Sequence, residues 1–298
     1  MSVPCLNFFA VLMLMTGIFL GDETRPSGSD VENFFFALDT ATKDAAYQSY
    51  EAQAAMLKEL GYAGWGPSGE QNVPEMLKAL DAHGLKMFAL YTGLNIDPEG
   101  PAYDPKLKDT LAALKERKTI LWVFVTSKKH KPSSTDGDER AVALLREVAD
   151  LAHEAGLRVA IYPHFAFYVE KTDDAVRLAR KANRRNLGVT FNLCHWLRSE
   201  PGQDLLPLLR RAMPYLFVVT INGADREGTD WGRLIQPLGE GDYDVYGLLT
   251  ALRNLGFEGP IGFQGYGIKG DVHAVLKKTM DAWREYQRRL AEEQRPRR

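Results

Sequence analysis

The chain has 298 residues, 45% of them apolar and 26% charged, which excludes a disordered polymer and leaves ample material for a large core. Lys plus Arg at 37 against Asp plus Glu at 39 give a net charge of −2, and no basic stripe of the kind that neutralises phosphates runs along the sequence. Nucleic acid is therefore not an expected partner.

The N-terminus reads differently from the rest. Leu6 to Leu20 is nearly unbroken apolar sequence, and the polar stretch Asp22 to Asp30 follows. This pattern predicts a signal peptide with a short linker over residues 1–28 and export to the periplasm or the outside, although no Lys or Arg precedes the apolar run and Gly17 and Gly21 make a weak cleavage pattern. Roughly 15 apolar residues fall short of the ~20 needed to cross a bilayer, so no stable membrane span is expected in the mature form. Cleavage would remove Cys5 and leave Cys194 without an internal disulfide partner. Residues 29–298 read as a single domain.

Beyond residue 30 one boundary recurs: an amphipathic helical run ends at Gly and a short apolar run follows. It appears at Gly61, Gly84, Gly156 and Gly256, where a helix C-terminus favours a left-handed residue. In chain order the apolar runs predict eight strands at Phe34–Leu38, Tyr62–Trp65, Lys86–Tyr91, Ile120–Val125, Arg158–Tyr162, Leu187–Phe191, Leu216–Ile221 and Pro260–Gln264. Helical patterns follow each of them, at Ser49–Leu60, Val73–His83, Lys106–Glu116, Asp138–Glu154, Thr172–Asn183, Asp204–Met213, Tyr243–Asn254 and Val272–Arg288, with Thr172 and Asp173 as capping residues of the fifth. Eight alternations predict a (β/α)8 TIM barrel. The rival, a doubly wound sheet, lacks its glycine-rich fingerprint: Phe34–Leu38 runs into Asp39-Thr40-Ala41.

In such a barrel the chemistry lies just past the strands, which sorts the histidines. His83 and His153 stand beside helix-ending glycines and suit the helix dipole, while His130, in the run Lys128-Lys129-His130-Lys131, and His273 read as solvated. His164 and His195 follow the fifth and sixth strands and are the candidate catalytic bases. Aromatic residues also follow strands: Trp65, Phe165, Phe167, Tyr168, Trp196 and Tyr266. Flat rings suit a sugar face, and Trp196, next to His195, is the best placed.

At these strand ends the chain resembles the sugar phosphate isomerase and epimerase group of xylose isomerase-like TIM barrels, over about residues 33–285. The segments that carry the likeness are Val159-Ala160-Ile161-Tyr162-Pro163-His164, Val189 to His195, Thr220 to Arg226, Leu238-Gly239-Glu240-Gly241-Asp242 and Pro260-Ile261-Gly262-Phe263-Gln264. The resemblance implies a divalent Mn, Mg or Zn ion held by Glu, Asp, His and Glu, and these positions fall on Tyr162, Asn192, Thr220 and Gln264. With all four exchanged for neutral donors, no cofactor and no metal site is expected, unless Glu70, Asp225 or Glu240 joins the histidines. The resemblance further implies substrate contacts for His195 and Arg226. Tyr162, Asn192, Trp196, Thr220, Asn222, Arg226 and Gln264 are thus the candidate substrate-binding set, and the expected ligand is a small carbohydrate. Three functions fit: proton transfer on a sugar without the family metal, elimination or hydrolysis of an activated keto sugar, and non-catalytic binding of a carbohydrate or a partner.

Overall fold

The computed structural model describes residue 1 and residues 33–293, so the expected signal segment and Cys5 lie outside the described residues. The chain divides into Met1–Val31 and Glu32–Arg298, and the second unit carries the strands and helices of the barrel.

Among the described residues there are nine parallel strand segments: β1 (Phe35–Leu38), β2 (Gly64–Gly66), β3 (Lys86–Met87), β4 (Ala89–Asn95), β5 (Ile120–Thr126), β6 (Arg158–Ile161), β7 (Leu187–Asn192), β8 (Leu216–Ile221) and β9 (Ile261–Phe263). Their order is β3-β2-β1-β9-β8-β7-β6-β5-β4. β3 and β4 are one barrel strand interrupted at Phe88, whose N–H donates to Trp65 O at 2.9 Å and whose carbonyl accepts from Ile120 N–H at 2.9 Å. That residue joins the two ends of the sheet and makes the structure an eight-strand barrel. The interruption also places both Phe88 and Ala89 in the inner apolar cluster, as an extra residue in a strand does.

The helices are α1 (Tyr50–Leu60), α2 (Val73–Ala82), α3 (Leu107–Ala113), α4 (Asp138–Glu154), α5 (Thr172–Ala182), α6 (Leu193–Ser199), α7 (Leu205–Ala212), α8 (Trp231–Leu234), α9 (Val245–Asn254) and α10 (Val272–Glu293). Gly61, Gly84, Gly156 and Gly256 all adopt positive φ, as the four helix ends require. Two helices, α6 and α8, were not expected. Thr172 and Asp173 lie inside the first turn of α5 rather than capping it, because Asp174 at the third helical position takes the Lys171 N–H at 3.0 Å.

Strand alternation builds two apolar layers. Odd positions of β1 (Phe35, Ala37) pack outward against helices, while Phe36 and Leu38 point inward with Ile120, Trp122, Ala160, Tyr162 and Val218 to fill the barrel. Trp122 is 1% exposed, and truncating such a ring costs about 3–5 kcal/mol. The same parity carries upward to Thr40, Ser68, Tyr91, Phe124, Tyr162, Asn192, Thr220 and Gln264, the inner ring at the C-terminal mouth. The loop after β6 is anchored from below: buried Asp138 accepts from Tyr168 Oη at 2.7 Å, Arg177 Nε at 3.0 Å and Lys181 Nζ at 2.6 Å. Three donors on one buried carboxylate fix the segment carrying His164.

Candidate active site

Asn192 ends β7 and caps α6, its Oδ1 accepting the His195 N–H at 3.3 Å and the Cys194 thiol at 3.0 Å. The spacing of three between Asn192 and His195 is therefore that of a helix cap and its third residue, which aims the imidazole across the mouth. Asn192 Nδ2 donates in turn to Tyr162 Oη, and Gln264 Nε2 reaches the same oxygen at 3.5 Å. Gln264 Oε1 accepts from Thr40 Oγ1 at 2.9 Å and from the Tyr266 N–H at 3.1 Å. Thr220 stands in register between Asn192 and Gly262, its hydroxyl buried with no partner among the described residues.

His164 and His195 face each other with ring centroids 4.1 Å apart. Phe165 sets their tautomers. Its carbonyl takes a hydrogen bond from His164 Nδ1 at 2.8 Å, and its N–H donates to His195 Nδ1 at 3.3 Å. A carbonyl only accepts, so His164 carries its proton on Nδ1 and keeps a lone pair on Nε2; His195 does the reverse. Burial lowers the pKa of both, most strongly at buried His195, where the neighbouring His164 lowers it further. Two neutral imidazoles result, one a base and one a donor. Burial also pushes the Tyr162 phenol well above its ordinary value, which keeps it neutral.

Of the aromatic residues expected at the mouth, Phe165 and Phe167 lie at the pair, and Trp231 joins them. Phe167 stacks on His164 at 3.9 Å, and Trp231, at the start of α8, meets His195 edge-on at 5.4 Å and Phe165 at 5.9 Å. Trp231 escaped the sequence reading, although Asp230 before it is a capping residue that marks the helix start. Trp65 and Tyr168 are buried in the outer core, and Trp196 is 7% exposed between Phe191 and Tyr243. Exposed Arg226 lies over the Tyr243 ring at 5.4 Å, outside the inner ring. Asn222 donates to Gly223 O and Leu234 O, each at 2.7 Å, and so holds its own loop. The structure thus brings together Tyr162, His164, Asn192, His195 and Gln264, with Thr220 beside them, and places Trp196, Asn222 and Arg226 apart.

Trp196 and Arg226 share a depression of about 300 Å³, and a second of about 620 Å³ lies beside Gln236, Glu240, Lys269 and Lys278. The carboxylates there are already engaged: Glu240 pairs with Lys278, and Asp204, Asp244 and Asp271 accept from helix-start N–H groups. The histidine pair, not either depression, carries groups suited to moving a proton. Asp225 is paired with Arg233, and buried Glu70 accepts from Thr92, so neither joins the histidines. Among the described residues, no three His, Cys, Asp or Glu side chains are grouped to hold a metal ion. No described helix is long and apolar enough to cross a membrane.

A closed parallel barrel with its polar groups at the C-terminal mouth defines a TIM barrel of the kind that carries its chemistry on βα loops. Residues 42–286 match the family model of the xylose isomerase-like TIM barrel, and the chain belongs to that family. Among solved structures it is similar to a 3-keto-D-glucoside 4-epimerase from E. coli, with 18% identity and a TM-score of 0.70 over 85% of this chain and 100% of that one. It is also similar to an L-ribulose 3-epimerase, with 17% identity and a TM-score of 0.71 over 89% of this chain and 99% of that one. An uncharacterized protein of Methanocaldococcus jannaschii is 21% identical over 142 residues, 46% of this chain, and the match spans about half (47%) of that relative's length.

Proposed function

We propose that the protein transfers a proton on a keto sugar without the divalent ion implied by the family resemblance. The single observation that carries this reading is the neutral His164–His195 pair, with opposite tautomers, beside the Tyr162–Asn192–Gln264 network. His164 Nε2 removes the proton next to the carbonyl, and His195 Nε2–H donates a hydrogen bond to the developing enolate oxygen. Phe165, Phe167 and Trp231 offer apolar faces to the sugar. The names of the similar structures, both epimerases acting at keto sugars, support the substrate class.

The donor set does not suit a hard divalent cation. Tyr162 is a neutral phenol, both amides are spent on Tyr162 and Thr40, and Thr220 offers only a hydroxyl. No step is therefore routed through a metal. The test is proton NMR in D₂O with a 3-keto-D-glucoside, L-ribulose, D-allulose and D-tagatose, before and after treatment with a strong chelator. Deuterium is expected to enter beside the carbonyl of at least one sugar, chelation leaving the rate unchanged and His164→Gln lowering it by about 10²–10⁴-fold. Exchange that disappears on chelation and returns with added Mn²⁺ would overturn the metal-free reading, and no exchange with any sugar would overturn the catalytic one.

A further inference from the structure

A lone base returns a proton to the face it took it from, or carries it to a neighbouring atom on that face. Inversion at carbon needs a second acid–base group on the other side. Counting around the sheet from β1, the barrel strand carrying His164 is four steps away in either direction: through β9, β8, β7 and β6, or through β2, the joined β3–β4 strand, β5 and β6. The residue after β1 is Asp39, and the residue three beyond β6 is His164, so a carboxyl group and an imidazole stand on diametrically opposite strands at the same end of the barrel.

Asp39 continues the outward row of β1, and its carboxylate is tied to the mouth through Ser68. Its two carboxylate oxygens accept from the Ser68 N–H at 2.8 Å and the Ser68 hydroxyl at 2.9 Å. Ser68 is bridged to Tyr91, one of the inward-facing residues, and the next residue, Thr40, reaches Gln264. No Lys, Arg or His lies within ion-pair distance of Asp39 among the described residues, whereas Asp225, also half-buried at a strand-end loop, has its arginine. A carboxylate that is partly desolvated and held only by neutral donors is costly to keep, and such groups concentrate where protons move. Desolvation raises the Asp39 pKa while it lowers that of His164, so the two groups are drawn toward each other in basicity.

We propose that Asp39 is the second acid–base group of this site, working on the substrate face opposite His164 and making the reaction an epimerisation at the carbon beside the carbonyl. The proposal rests on the reading of the His164–His195 pair given above. In the forward step His164 Nε2 takes the proton, the C–H electrons become the enolate double bond, and the carbonyl π electrons move onto oxygen. The enolate then collapses, taking a proton from the Asp39 carboxylic acid on the opposite face. The enzyme is left with an imidazolium and a carboxylate, and exchange with solvent restores the starting forms. In the reverse direction Asp39 is the base.

The same four sugars in D₂O test this, with deuterium incorporation and epimer formation followed separately. In the wild type both are expected. In Asp39→Asn, which keeps the acceptor for Ser68, the starting sugar is expected still to exchange its proton through His164 while epimer formation falls by about 10²–10⁴-fold. In Asp39→Ala, added sodium formate is expected to restore part of the epimer yield, which a merely structural carboxylate would not allow. Epimer formation that persists in Asp39→Asn, or a folded Asp39→Ala variant that formate does not rescue, overturns the role of Asp39 and leaves the histidine reading standing. A wild type that exchanges none of the sugars overturns both.

Discussion

Replacing Tyr162 by Phe removes one oxygen from the centre of the site and nothing else. Tyr162 is 2% exposed, and its Oη accepts from Asn192 Nδ2 and, more distantly, from Gln264 Nε2. The ring remains packed against Tyr91 at 4.9 Å and Trp122 at 5.3 Å, so no cavity larger than an oxygen atom opens. What changes is the Asn192 amide, whose Oδ1 is held by Cys194 and the His195 N–H and which therefore cannot turn to find another partner. Leaving a buried donor unsatisfied costs about 1–3 kcal/mol. With an unfolding entropy of about 2.1 cal/mol/K per residue over about 260 residues, this lowers Tm by about 2–5 °C. Differential scanning calorimetry measures it, with Tyr91→Phe as the control: Tyr91 touches Tyr162 edge-on, and burial alone shifts its phenol. The control is expected within about 0.5 kcal/mol of wild type. Equal Tm losses in the two variants, or none in Tyr162→Phe, would show that the hydrogen bond does not organise the site.

The histidine pair gives the stability a pH dependence of defined sign. Both folded-state pKa values lie below the ordinary 6.5, so below that pH the unfolded chain binds more protons and the fold loses up to about 1.4 kcal/mol per pH unit for each histidine. Urea midpoints between pH 4.5 and 7.5 should fall with acid less steeply in His195→Gln than in wild type, and parallel curves would contradict the burial argument. The quadruple change Tyr162→Glu, Asn192→Asp, Thr220→His and Gln264→Glu is expected to create Mn²⁺ affinity measurable by calorimetric titration where the natural chain has almost none; tight stoichiometric binding by the natural chain would refute the donor argument. Export, which we propose from the apolar run of residues 6–20, predicts a mature N-terminus between Gly17 and Asp30 by mass spectrometry, and an intact Met1 on protein recovered from the cytoplasm would refute it.

Much of the barrel was legible in the sequence because its signals are local. Helix-ending glycines at residues 61, 84, 156 and 256 and apolar runs of strand length act over fewer than ten residues, and each landed where the chain's own stereochemistry required. Strand ends pointed to His164 and His195 for the same reason, since parallel strands in a barrel share one mouth, and the family resemblance implied Tyr162, Asn192 and Gln264 beside them. Tertiary structure decided the rest. The break at Phe88 depends on which neighbours each half of the strand meets, and only the closed barrel sets Asp39 opposite His164. Trp196 and Trp231 show the limit most clearly: adjacency to His195 along the chain turned Trp196 into the core because α6 rotates successive side chains by about 100°, while Trp231, 36 positions away in sequence, packs against that histidine in space. The tautomers of the two imidazoles likewise hang on the single peptide of Phe165, because proton placement follows hydrogen-bond partners, and partners exist only once the chain has folded.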